Sequence, residues 1–222
     1  MTFGHEAEHY ARDFACGWGL RAETAVDVAG RVLSLCRSLA ELQPDHRDIW
    51  PMFAMRAIKP GRDPGPIVDL PPDDLALLID RKARYDPPQL PAPVGPEGYD
   101  LVISARLPPP HPRSLGISVS AGVYGEGAHR NEVEVDYHLE NPIWQDASTG
   151  LKVVEALIEA FDPEWVCASA FIQPRDEEGQ GHHRPWIAWR ARGSDVPPYL
   201  IERGGSPSEV RQAFGGELRL WP

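Results

Sequence analysis

Cysteine is scarce in this 222-residue chain, and the three present, Cys16, Cys36 and Cys167, are odd in number and scattered, with no CxxC pair. A disulfide framework or a cysteine zinc site is therefore not expected, and the three read as reduced core thiols. Long apolar runs are missing as well: nowhere do about 18 apolar residues follow one another, the length a membrane-spanning helix needs. Met1 to Tyr10 is polar and acidic, without the basic leader and apolar stretch of a secretory signal. Positive charge is in short supply, with 22 Lys and Arg against 33 Asp and Glu, a formal net charge of −11 and a pI near 5.1. That balance opposes the counterion release that drives nucleic-acid binding and disfavours anionic membrane surfaces. A soluble cytoplasmic protein with a basic protein partner or a small ligand fits it better.

Catalytic signatures are absent too. No P-loop, nucleophile elbow or dinucleotide fingerprint occurs, and Gly125-Glu126-Gly127, with no helix pattern after it, reads as a turn. Cys16, beside Gly17-Trp18, lacks any flanking signature of a nucleophile and reads as core.

What is present organises into elements. Val26, Ala29, Val32, Leu33, Cys36, Leu39 and Ala40 recur at three- and four-residue intervals and predict a helix over 22–42, stopped at Pro44. Phe14 to Trp18 reads as a short strand before it. Fourteen of the 24 prolines fall between Pro60 and Pro112, which limits any element there to short lengths. One helix survives, where Pro71-Pro72-Asp73-Asp74 places prolines and then acids ahead of Leu75, Leu77, Leu78 and Ile79. Three alternating runs follow, around Leu101 and Ile103, Leu115 to Ala121, and Val133 to Leu139, and predict an antiparallel meander. Ser148 is placed to cap a helix over 149–161. Further strands are expected at 164–172, 185–191, 198–202 and 217–221, and the wholly polar stretch Gln173 to Arg184 reads as an exposed loop. The expected architecture is α+β: one domain over 1–222, with a single mostly antiparallel sheet, three or four helices packed on it, and residues 1–9 poorly ordered.

Two histidine patterns invite a metal reading. His5-Glu6-Ala7-Glu8-His9 matches HExxH, whose helical spacing sets two imidazoles on one face for zinc with a glutamate as general base. It lies at a chain end without an apolar stripe or an evident third ligand, so the match reads as accidental; a small metal-dependent hydrolase using His5, Glu6 and His9 is the alternative reading. His182-His183 has no companion at ligand spacing and reads as solvated loop. No metal, cofactor or catalytic residue is expected.

The strongest feature is a strand. In Glu132-Val133-Glu134-Val135-Asp136-Tyr137-His138-Leu139-Glu140, alternation sends the apolar residues to one face and Glu132, Glu134, Asp136, His138 and Glu140 to the other. From Glu132 to Glu164 there are nine acids against one base, Lys152, a net −8 out of −11. Such a stripe steers association with a basic protein, although acidic faces also serve solubility. Glu132, Glu134, Asp136 and Glu140 are the candidate binding residues.

Several ordered pieces carry a family resemblance. They are Gly17-Trp18-Gly19-Leu20-Arg21-Ala22-Glu23 before the first helix, the Leu39 to Trp50 stretch with Pro44, Ala160-Phe161-Asp162-Pro163-Glu164-Trp165, Pro185-Trp186-Ile187-Ala188-Trp189, and Gly215-Gly216-Glu217-Leu218. In these the chain resembles the immunity protein 52 family of polymorphic toxin systems, from about residue 10 to the end. Pro185 stands where the family usually has glycine, and the proline-rich middle is longer than its pattern. The resemblance implies an α+β cytoplasmic protein, not an enzyme, that neutralises a nuclease toxin of the restriction-endonuclease-like class delivered by type VI secretion. Toxin identity, interface and oligomeric state stay open.

Overall fold

The computed structural model describes residues 10–42, 67–84, 98–106, 114–123, 131–137, 147–172, 182–201 and 205–221. In chain order these form β1 (Tyr10–Trp18), α1 (Ala25–Leu42), a 3-10 turn (Ile67–Asp69), α2 (Pro72–Arg84), β2 (Tyr99–Arg106), β3 (Ser114–Ala121) and β4 (Asn131–Tyr137). Then come α3 (Ala147–Phe161), β5 (Trp165–Ile172), β6 (His182–Arg190), α4 (Pro198–Ile201), β7 (Glu209–Ala213) and β8 (Gly216–Leu220). The strands make one eight-stranded antiparallel sheet in the order β2-β3-β4-β1-β5-β6-β8-β7, an α+β architecture. The chain gathers into two compact units, Trp18–Val133, and Met1–Gly17 with Glu134–Pro222. Among the described residues no helix is long and apolar enough to cross a membrane.

In the Trp18–Val133 unit, α1 starts where local chemistry satisfies its first amides. Thr24 Oγ1 accepts from Asp27 N–H (3.2 Å) while the Asp27 carboxylate accepts from Thr24 N–H (2.9 Å) and from the Thr24 hydroxyl (2.7 Å), a reciprocal cap. Those bonds, the hydroxyl's foremost, hold the Asp27 carboxyl below the usual range. Of the predicted stripe, Ala29, Val32, Leu33, Cys36, Leu39 and Ala40 are buried and Val26 is half-buried, and α1 packs on α2. Arg37 Nε donates to the Val68 carbonyl (3.0 Å) and pins the 3-10 turn. The hairpin of β2 and β3 pairs Tyr99 with Ala121, Leu101 with Val119 and Ile103 with Ile117, one buried row of cross-strand contacts. Asn131, fully buried, clasps the exit of that hairpin: its Oδ1 accepts from Val123 N–H (2.8 Å), and its Nδ2 donates to the carbonyls of Gly19 (2.7 Å) and Val123 (3.1 Å).

In the other unit β1 pairs with β5 from Tyr10↔Ile172 to Gly17↔Trp165, and β5 with β6. Gly17 is required at its place, since a Cβ there would lie 2.6 Å from the Trp165 ring. Helix α3 packs on β5 and β6 through an apolar face that includes Val154, Leu157 and Phe161. It ends at Asp162, whose φ of 48° turns the chain left-handed while its N–H donates to the Ile158 carbonyl (2.9 Å). Between Ala168 and Ser169 the register with β6 slips by one residue, so that Ser169 faces Pro185; such a bulge is where a strand tolerates a residue without an N–H.

Four expectations are corrected. Residues 198–201 are a helical turn, not a strand, because Pro198 has the fixed φ suited to a first helical position. Helix α3 begins at Ala147, so Ser148 lies in its first turn instead of before it. Strand β6 starts at His182, so the tail of the expected Gln173 to Arg184 loop is sheet, drawn in by pairing with Phe171 and Ile172. Strand β7 is an addition to the expected set; its residues are mostly exposed and carry no alternation of hydrophobicity.

Candidate functional site

Strand β4 presents the acidic stripe as its alternation predicts. Val133 and Val135 are fully buried, Glu132 is half-buried, and Glu134 and Asp136 are exposed. His138 and Glu140 lie outside the described residues, as do His5, Glu6 and His9. The neighbour of β4 in the sheet is β1, and it contributes an acid that the sequence pattern does not single out. Asp13 is only 7% exposed, and one ligand oxygen from each of Asp13, Glu134 and Asp136 lies within 4.8 Å of the others.

Asp13 is buried because of where β1 runs. Two residues on, on the same strand face, Ala15 joins Trp165, Cys167, Ala188, Val196 and Trp221 in a buried apolar cluster, so Asp13 stands at the margin of that cluster with its carboxylate turned toward β4. Burial is the first cause that pushes this carboxyl up to about 8, followed by its hydrogen bond with Asp136 and the negative charges of Asp136 and Glu134. At neutral pH Asp13 therefore keeps its proton and donates it to the Asp136 carboxylate. Its Oδ1 is sealed from solvent and has no hydrogen-bond partner.

Two other carboxylates, Glu23 and Glu217, are compensated by arginines. Glu23, 4% exposed, sits between Arg31 Nε (2.7 Å) and Arg21 Nε (3.3 Å), and Arg21 in turn lies 5.1 Å over the Trp18 ring. Glu217 accepts from Arg190 and Arg219, which hold its carboxyl below the usual range. Among the described residues, the side chains that shift Asp13 are the acids Asp136 and Glu134.

Chemically, the Asp13, Glu134 and Asp136 oxygens can hold a proton or a hard cation, and the outer two present negative charge to any basic group that approaches. The cysteines offer no second site: all three are buried and none forms a disulfide, and burial pushes Cys36 and Cys167 up to about 12, far from a reactive thiolate. No signal for Asp13 as a site residue exists in its own segment, where it borders the apolar run Phe14 to Trp18. It becomes one only because β1 lies against β4. Compared with protein-family models and with curated proteins, the chain matches none.

Proposed function

We propose that this chain is a toxin-neutralising immunity protein that binds a basic, nuclease-type toxin, of the class carried by type VI secretion, through the acidic face of β4. The observation that carries the reading is the exposure of Glu134 and Asp136 on a strand whose alternate residues, Val133 and Val135, are fully buried. That geometry commits the strand's inward face to folding and leaves a row of carboxylates facing water, an arrangement that attracts a cationic surface and raises its association rate at low salt. Carboxylates in a row also mimic the phosphate backbone that a nuclease grips. The resemblance to the immunity protein 52 family supports the same reading.

The test has two stages. Co-expression with the product of the neighbouring open reading frame gives survival and a copurifying complex; survival without a complex rules out direct inhibition. With the complex in hand, Glu132→Lys, Glu134→Lys and Asp136→Lys together slow association by about tenfold or more at low ionic strength and flatten its salt dependence. Unchanged rates and an unchanged salt slope would remove the stripe from the mechanism.

A further inference from the structure

We propose that the outer strand β7 is a self-association edge, along which a second copy of this chain pairs antiparallel about a two-fold axis at Val210. Among the described residues β7 ends the strand order, so one of its two sides carries no neighbouring strand. Its ladder with β8 is unbroken from Glu209↔Leu220 to Ala213↔Gly216. A two-residue turn joins the strands, so Ala213 and Gly216 exchange backbone hydrogen bonds, and in an antiparallel ladder that role falls to every second residue. Val210 and Gln212 therefore turn their N–H and C=O groups outward. Natural sheet edges are blunted by proline, lysine or a bulge, and β7, with the sequence EVRQA, contains none of these. Val210 is left 54% exposed on it.

The charges of β7 select a copy of itself as the occupant. Glu209 and Arg211 lie on one strand face, both exposed, with Arg211 Nη1 3.2 Å from Glu209 Oε1. Antiparallel pairing about Val210 sets Glu209 opposite Arg211 of the partner subunit, and Arg211 opposite Glu209 of the partner subunit. The charges then alternate in sign around the axis. On the other strand face the same register brings the two Val210 side chains together, a cross-strand pair of β-branched residues. A slip of two residues would set Arg211 against Arg211 of the partner subunit, so charge fixes the register. Each Val210 N–H donates to the carbonyl of Val210 of the partner subunit, and each Gln212 N–H to the carbonyl of Ser208 of the partner subunit. Ser208 N–H is already given to the Leu220 carbonyl (2.8 Å), which ends the ladder there. So short an interface falls below the size of stable complexes, and the dimer is reversible, with a dissociation constant on the order of 10⁻⁵ to 10⁻³ M.

Sedimentation velocity of the full chain at low ionic strength, from about 5 to about 500 µM, reads the association. The average mass is expected to climb with concentration from that of the 24.6 kDa chain towards twice that value. Val210→Pro removes an N–H that β8 does not use, so the hairpin stands while association weakens by about tenfold or more. Arg211→Glu opposes like charges across the axis and weakens association by about fivefold or more. Combining it with Glu209→Arg restores opposite signs and recovers the dimer, which separates loss of charge register from a folding defect. A chain that stays monomeric throughout overturns the proposal and leaves the edge to a strand from a different protein. Association that Val210→Pro and Arg211→Glu leave intact overturns it too, as does a double exchange that fails to recover the dimer. The chain is measured alone, so the outcome stands apart from whether any toxin is bound.

Discussion

Asp13 shows how a single side chain sets a pH dependence. Its carboxyl lies at about 8 in the folded protein against an ordinary value of 3.8. The native state therefore holds a proton that the unfolded chain releases, and the stabilisation this gives is complete below the ordinary value and is lost as pH rises through the folded one. In the presence of chelator, stability should fall between about pH 4 and pH 8 for this reason. Asp13→Asn cannot ionise, so its urea midpoint relative to the parent should rise from pH 5 to pH 9; parallel midpoints would mean that Asp13 stays solvated. Phe214 offers a second test at this scale. Phe214 and Gly215, with φ of 51° and 77°, form the two-residue turn between β7 and β8, in which both central positions need left-handed backbone. Glycine adopts it freely, while phenylalanine does so at a cost and is 38% exposed, so it recovers little by burial. Phe214→Asn should stabilise by about 0.5–1 kcal/mol in denaturant unfolding, because asparagine tolerates that conformation.

Among the elements, helices are the more legible from sequence. α1 shows its period in Val32, Leu33, Cys36 and Leu39 and its start in the Thr24 and Asp27 cap, all local features. α2 announces itself by Pro72 and the acids of its first turn. Strands are legible where one face is buried, as in β3 and β4, since alternation is the imprint of a two-sided environment. β7 has no buried face and shows no pattern, and the 198–201 turn reads as a strand because four residues are too few to show a period. Connections between elements rest on side chains that no periodicity marks. Asn131 at the start of β4 makes three hydrogen bonds to the backbone of Gly19 and Val123, the two to Val123 buried and the one to Gly19 partly so. Asn131→Ala should lower stability by about 2–4 kcal/mol in chemical denaturation, since it leaves those groups without partners. A loss under 1 kcal/mol would mean that water replaces the amide.

Charge is the property that acts across the whole molecule. A net −11, with −8 of it between Glu132 and Glu164, makes the compact state repel itself, and exposed charges respond to screening. Raising NaCl from about 0.01 to about 0.15 M shortens the Debye length from about 30 to about 8 Å, so the unfolding temperature should rise by a few degrees with no divalent ion present. A falling temperature would show that favourable ion pairs such as Arg31–Glu23 and Arg190–Glu217 outweigh the repulsion.

The class of the fold, the helices α1 and α2, the meander of β2, β3 and β4, and the single-faced acidic row on β4 are all written in a local period or a local cap, and so they can be read from the chain before it folds. That β1, the first strand, lies between β4 and β5 is settled only in three dimensions, and with it the meeting of Asp13 with Glu134 and Asp136 across more than a hundred residues of chain. Strand order depends on the joint burial of distant apolar faces, and no local pattern encodes which strand a given edge will choose.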